Sequence, residues 1–423
     1  MVYKNKTRNN ILAFILGFLT VNNVLYLFVV GDTPILMPYV FGTYSILLYL
    51  IISIKKVIYN ITKTPRLLVL FFSWILLSSI QTIVYGGNMN IWLSGIIELI
   101  LVMTVMYSTM ILADRYTYIV KGIIFGVLIN CIIVIFEEIQ DTLGLTFILN
   151  ETIPVLKSFT ELLYIGRVGR GLFAEPGHLM RSITILFFII YPQVCKYKLF
   201  NRILVYILFA IIAMTSGSAS FIYFVLGIIL LYIWTSGKNV SKWIKGILIT
   251  VTSLIVLVIC ATFIPFLYNM ATVASKSFFD IFNSSDVGNS IRVQGMTYAI
   301  KIIQKYPVFG CGWNQFATQF KEAGFLSHYV RGSYSYALEL FAEIGIGAFF
   351  YFGFIILNII RMKKRSDGIF DISFTIALIM YLLICISTDF AFDPSTALLL
   401  GIISKREQQI KFANNSVSIG GRI

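Results

Sequence analysis

A chain of 423 residues with 58% hydrophobic and 12% charged residues and a mean hydropathy of +0.87 carries more apolar surface than a soluble core could hide, which excludes a water-soluble domain of this size. The net charge of +14 suggests nucleic acid only if it is clustered; spread through short connections, it is the topological signal of a membrane protein. Five cysteines, Cys131, Cys195, Cys260, Cys311 and Cys385, show no CxxC spacing, so neither a disulfide framework nor a metal site is expected, and no cofactor either.

Apolar runs of spanning length, roughly twenty residues each, recur along nearly the whole chain. They fall near 11–30, 35–54, 67–85, 91–112, 117–137, 179–194, 203–217, 219–234, 247–266, 336–360, 369–388 and 394–404, about twelve in all. The first follows Lys4, Lys6 and Arg8, is too long for a signal-peptide core and lacks a small-residue cleavage site, so it is expected to stay as the first span. The stretch from Thr215 to Ser220 reads either as a tight turn between two helices or as a break within one buried region. Short connections carrying Lys55, Lys56, Lys63 and Arg66, Arg115 and Lys121, Lys196, Lys198 and Arg202, Lys238, Lys242 and Lys245, and Arg361 to Arg365 fix one side as cytoplasmic, with both termini on it. Two long segments, about 138–178 and 267–335, then face outward and are expected to hold short amphipathic helices. The expected fold is an all-α, polytopic, single membrane domain over 1–423. No repeat or paired broken helices point to an inverted-repeat transporter.

The outward loops hold the chemistry. In the first, GRVGRGLFAEPGHLMRS (166–182) sets Arg167 and Arg170 among glycines, where the backbone can approach a ligand and guanidinium forks match phosphate oxygens. The plainer reading pairs these arginines with Glu161, Glu175 or lipid phosphate. Pro176 can open a helix, with Glu175 just before it, His178 in its first turn and Arg181 a turn deeper. In the second loop, apolar spacing over 291–303 gives an amphipathic helix starting after Asn289 and stopped by Pro307, with Arg292 in its first turn. The glycine-rich PVFGCGWNQF follows, Trp313 serving as an interface anchor. Arg331 precedes a helix bearing Glu339 and Glu343 on one face, toward the interior, either to bind a polar ligand or to pair with Arg292 or Arg331. His328 reads as a solvated loop histidine.

Three phrases in this order, R-G-x-F-x-E-P before a helix, S-x-R followed by Y-P-V-F-G-x-G, and L-x-x-x-A-E-I-G-I-G, resemble the Wzy-type polysaccharide polymerases, whose superfamily includes the O-antigen ligases. The resemblance covers about 160–350 by motif and the whole chain by helix number. It implies a GT-C-like, metal-independent glycosyltransferase in the bacterial cytoplasmic membrane, working on its outer face on a glycan carried by undecaprenyl pyrophosphate, for O-antigen, capsule or exopolysaccharide. Arg170 and Arg292 take the places of the family's essential arginines, with Arg167, Arg331, Tyr334, Tyr336, Glu343 and His328 as substrate-binding residues and Glu175 or His178 as the base. Partners implied are the lipid-linked oligosaccharide, membrane lipid, and flippase and chain-length regulator proteins of the same pathway, with no nucleic acid. Ligases carry His-Asn where this chain has Tyr334-Ser335, which favours a polymerase over a ligase unless His328 takes that role. A flippase for lipid-linked glycans should instead place cations along a membrane-depth path; here most helix centres are uncharged, Glu98 being the main exception.

Overall fold

The computed structural model describes residues 2–22, 26–30, 33–142, 172–173, 176–215, 221–235, 287–322, 333–364, 368–388 and 393–420. The described residues are helical almost throughout, as expected. Helix α1 (Val2–Leu19) leads to a two-stranded antiparallel hairpin, β1 (Tyr26–Val30) and β2 (Thr33–Leu36), then α2 (Met37–Thr62), α3 (Arg66–Val84), α4 (Met89–Leu112) and α5 (Tyr116–Thr142). After the first long connection come α6 (Pro176–Val194), α7 (Leu199–Thr215) and α8 (Phe221–Thr235). The second is followed by α9 (Val287–Lys305), α10 (Phe316–Glu322), α11 (Tyr336–Ile344), α12 (Ala348–Lys364), α13 (Ile369–Ser387) and α14 (Pro394–Gly420). Among the described residues, five helical stretches are long and apolar enough to cross a membrane, and α7 and α8 are shorter apolar helices. Exposed Leu76, Ile80 and Ile83 on α3, and Ile132, Ile135 and Phe136 on α5, would be liabilities in water and are ordinary against lipid.

Four expectations change. The run 11–30 is not one span, because α1 stops at Leu19 and the β-branched YLFVV pairs with Thr33–Leu36. Asn22 marks the stop: its side-chain amide donates to the Phe18 carbonyl at 2.7 Å, taking an acceptor that a continuing helix would use. The run 336–360 is two helices, α11 and α12, separated by a 3-10 turn over Gly345–Gly347. Helix α14 continues to Gly420, and α9 begins at Val287 rather than after Asn289. By contrast, α2 holds to its expected span: its backbone leaves helical geometry at Ser53 (φ −155°, ψ 67°), just before Lys55 and Lys56. Helix α7 is described to Thr215 and α8 from Phe221, and the stretch between them, on which the turn-or-break reading falls, lies outside the described residues. The run 247–266, and any helices in 143–171, lie outside the described residues.

The basic connections meet on one face. Lys56 pairs with Asp114 at 3.4 Å, Arg361 with Glu407 at 2.5 Å and Arg406 with Asp371 at 3.6 Å, linking α2, α4–α5, α12, α13 and α14 there. Such surface pairs are worth at most about 1 kcal/mol. Their value here is geometric, because they define a basic face and, across the bundle, a distal one. Between the faces, α1 lies directly on α5: a Cβ added at Gly17 would overlap the Ile119 carbonyl, and one at Gly122 the Phe14 carbonyl. Helix α6 is the most enclosed, with every residue from Leu179 to Ile190 buried. It is held by Ser373 Oγ donating to the Phe188 carbonyl at 2.6 Å and by the Tyr116 hydroxyl donating to the Ile189 carbonyl.

Candidate active site

Several helices stop short of the distal face. Thr104 Oγ1 reaches the Tyr39 carbonyl (3.4 Å) and Ser108 Oγ the Gly42 carbonyl (2.8 Å), so α2 begins alongside the lower half of α4. Gly401 of α14 abuts the Met106 carbonyl, which places Pro394 near the level of Leu99 at about 1.5 Å per residue. Ser182 Oγ donates to Asp393 Oδ2 at 2.7 Å, bringing the first turns of α6 to that same level. Helix α1 ends where Asn22 Oδ1 and the Val21 carbonyl both accept from Asn130 Nδ2 at 3.1 Å. The end of α1 and the start of α14 thus lie about 20 Å above the basic face, short of a hydrocarbon core of about 30 Å, while α2 begins beside Thr104 and α6 begins about 9 Å beyond Ser182. Helices α4 and α5, of 24 and 27 residues, continue beyond this level toward the distal rim. Three of these four ends are N-termini, whose free N–H groups and dipoles favour an anion above them.

The arginine-bearing loop is tied into this level. The Leu172 N–H donates to Asn130 Oδ1 at 2.8 Å, and Leu172 and Phe173 are buried. Asn130 is itself fully buried and also donates to the Gly126 carbonyl at 3.0 Å, so one amide joins α1, α5 and the end of the GRVGRGLF stretch. Replacing it with Leu strands the Leu172 N–H and the α1 carboxy-terminal acceptors, at about 1–3 kcal/mol for each buried group left unsatisfied. Asn130→Leu should therefore lower the unfolding temperature of the detergent-solubilised protein and reduce activity together, and Asn130→Asp should not rescue it, because a buried carboxylate keeps the Leu172 contact but meets the three oxygens that Nδ2 served.

Across the rim, the two glycine-rich phrases of the second loop interlock. The Cys311 and Gly312 N–H groups donate to the Ala342 and Glu343 carbonyls (2.8 and 3.0 Å), and the Ile346 N–H donates back to Pro307 and Val308 (3.1 and 3.2 Å). Trp74 of α3 stacks on Phe309 and donates from Nε1 to the Ile344 carbonyl at 2.9 Å. Gln315 clasps the α4 N-terminus, accepting from the Asn88 N–H (2.8 Å) and donating to its carbonyl (3.1 Å), while Asn314 Nδ2 donates to Ile91 (2.9 Å).

The predicted site residues fall unevenly on this frame. Glu343 is buried, and its carboxylate accepts from the Phe316 N–H at 3.2 Å and from Asn314, bracing the turn that opens α10. Burial, and then Glu343 beside it, push the Cys311 thiol well up, which keeps it protonated and excludes it as a nucleophile. Ser335 caps α11, its Oγ accepting from Leu338 at 3.4 Å, while Tyr334 holds a left-handed φ of 56° against the small core of Ala299, Ile302 and Cys311. Tyr336 is buried, its N–H donating to the Thr388 carbonyl at 2.6 Å. His178 stands half-buried in the first turn of α6 and Arg181 is buried one turn on, beside Ser182. Arg292 sits in the second turn of α9, in helical register with Gly295, Ala299 and Ile302, which are buried on the side facing α11. Arg167, Arg170, Glu175, His328 and Arg331 lie outside the described residues. Asn130 and Asp393 were not singled out from the sequence; the signal for Asp393 was its place before Pro-Ser-Thr, an N-cap it fills by accepting from the Thr396 N–H at 2.7 Å. Among the described residues no group of His, Cys, Asp and Glu could hold a metal ion.

Residues 203–353, from α7 through the second loop and the α11–α12 pair, match the family described as O-antigen ligase. The chain carries a domain of the O-antigen ligase superfamily. This O-antigen ligase domain includes Arg292, the interlocked glycine turns and Glu343, while Arg167, Arg170, Glu175 and His178 precede it. The matched family is one of glycan-joining enzymes, and the long apolar helices mark this chain as a membrane protein. No curated protein matches the chain.

Proposed function

We propose that the protein is a polysaccharide polymerase that joins repeat units carried on undecaprenyl pyrophosphate, at the distal face, which is extracytoplasmic because the basic face and both termini are cytoplasmic. The observation that carries the choice is at Tyr334-Ser335. Where a ligase places His-Asn, this chain has a helix-capping serine and a left-handed tyrosine packed in a small core, neither of which supplies an imidazole to the site. Transfer to another lipid-linked repeat, rather than to a lipid A core, is the matching reaction. The donor already holds a good leaving group, so the chain must supply cationic and N–H donors aimed at the departing pyrophosphate. Arg170 and Arg292, helped by Arg167 and Arg331, provide the guanidinium forks, and the N-termini of α2 and α6 add oriented dipoles. No divalent metal is required in this scheme.

The second reading is an O-antigen ligase, favoured by the description of the family matched over 203–353. Purified protein incubated with lipid-linked repeat units should yield a ladder of multiples on lipid, undiminished in excess chelator. Transfer only to a lipid A core, with no ladder, would establish the ligase. Complete and metal-reversible loss in chelator would overturn the arginine-based scheme.

A further inference from the structure

Glu98 is a carboxylate at membrane depth, roughly 21 Å along α4 from its basic end at Leu112. It belongs to the stripe Ile91, Gly95, Glu98, Val102, Val105, whose members face inward: Ile91 accepts from Asn314, a Cβ at Gly95 would crowd Asn314 and Trp313, and Val102 and Val105 are buried. Glu98 is therefore one turn beneath the Trp313–Asn314 turn. It lies within electrostatic reach of Tyr39 on α2 and Glu343 on α11, and Tyr39 is in turn within reach of Asp393 at the head of α14.

The other carboxylates at this level are occupied. Glu343 takes the Phe316 N–H, Glu339 takes the Ser333 N–H at 3.0 Å, and Asp393 accepts from Ser182 Oγ, Ser395 Oγ and the Thr396 N–H. Glu98 makes no hydrogen bond or ion pair among the described residues and keeps part of its surface accessible. Tyr39 is only 3% exposed, yet its hydroxyl also has no hydrogen-bond partner among the described residues. Two polar groups within electrostatic reach of one another, one a buried phenol, need a hydroxylic ligand to complete them, since an ionisable side chain at this depth is expensive unless it serves a partner.

We propose that Glu98 is the base for glycosyl transfer, with Tyr39 binding the same acceptor sugar. This rests on the glycosyltransferase reading, in its polymerase or ligase form. The acceptor O–H gives its proton to a Glu98 carboxylate oxygen as the acceptor oxygen bonds to the anomeric carbon of the donor. The bond from that carbon to the pyrophosphate breaks, and its electron pair leaves with the phosphate. Glu98 thereby displaces Glu175 and His178 from the role of base and leaves them to the donor side.

The test uses the full chain in lipid nanodiscs with lipid-linked repeat units. Glu98→Gln keeps the shape and a hydrogen bond but cannot accept the proton, so kcat should fall a hundredfold or more, with KM and unfolding temperature little changed. Glu98→Asp should recover part of the rate, and Tyr39→Phe should mainly raise the acceptor KM. A Glu98→Gln enzyme within about threefold of wild type would overturn the proposal. Should wild type itself transfer no glycan, the functional reading fails separately. The site is then decided by binding of the host's repeat-unit oligosaccharide freed from its lipid: binding by wild type that is lost in Glu98→Leu supports the acceptor site, and equal or absent binding by both overturns it.

Discussion

Arg170→Lys and Arg292→Lys should each slow polymer formation about a hundredfold at matched membrane abundance, which corresponds to losing on the order of 3 kcal/mol from one transition-state donor. Lysine keeps the charge but not the planar fork, so attraction for the pyrophosphate survives while the bidentate contact that tightens as it departs does not. Arg170 is two residues, about 7 Å of extended chain, before Leu172, whose N–H is fixed to Asn130. Arg292 lies on α9, whose later members Ala299 and Ile302 are buried in the small core with Cys311 and Ala342. Neither substitution removes an apolar residue of the bundle, so both variants should insert normally. Substitutions at Lys301, which is exposed on α9 away from that face, and at Lys321 should be mild. Near-normal chain formation by both lysine variants would reduce the cradle to a general electrostatic patch.

Apolar run length was enough to locate most of the helices, because a spanning segment must satisfy its own backbone and therefore announces itself locally. It failed where partners distant in sequence decide the outcome. Nothing in YLFVV says that it pairs with TPIL rather than prolonging α1, and nothing in AEIGIG says that its glycines admit a second chain. Glu343 illustrates the same limit within the site. Its spacing from Glu339 correctly put it toward the interior, yet its occupation by the Phe316 N–H depends on a turn that only the folded loop creates. Asn130 was hidden for the opposite reason: a single amide in an apolar helix looks incidental until its four partners, from α1, α5 and the arginine loop, are seen together. Glu98 was visible as the exception among uncharged helix centres, but its lack of a partner among the described residues was not.

Gly310→Ala and Gly345→Ala should be among the most damaging single-methyl changes in the protein, although neither glycine is assigned to bind substrate. Both residues hold a left-handed backbone, with φ of 70° and 56°. At Gly310 a Cβ would overlap the Glu343 carbonyl group, and at Gly345 it would overlap the Val308 carbonyl, so backbone rather than a flexible side chain stands in the way. Strain of about 1–3 kcal/mol from the dihedral adds to a similar overpacking cost, giving a loss on the order of 3 kcal/mol or more. Relief requires the two turns to part, which breaks the Cys311–Ala342 and Gly312–Glu343 hydrogen bonds and withdraws the carboxylate that braces Phe316. Activity should fall with stability, because α9 and its Arg292 are referenced to α11 through this joint. Gly353→Ala is the control: its nearest neighbour would be Leu67 Cδ1 at 3.9 Å, within a helix where Ala is preferred to Gly, so its unfolding temperature should match or exceed wild type. Thermal unfolding of the three solubilised variants decides the matter, and a Gly310→Ala protein as stable as the Gly353→Ala control would show that the glycines do not hold the second loop to the α11–α12 break.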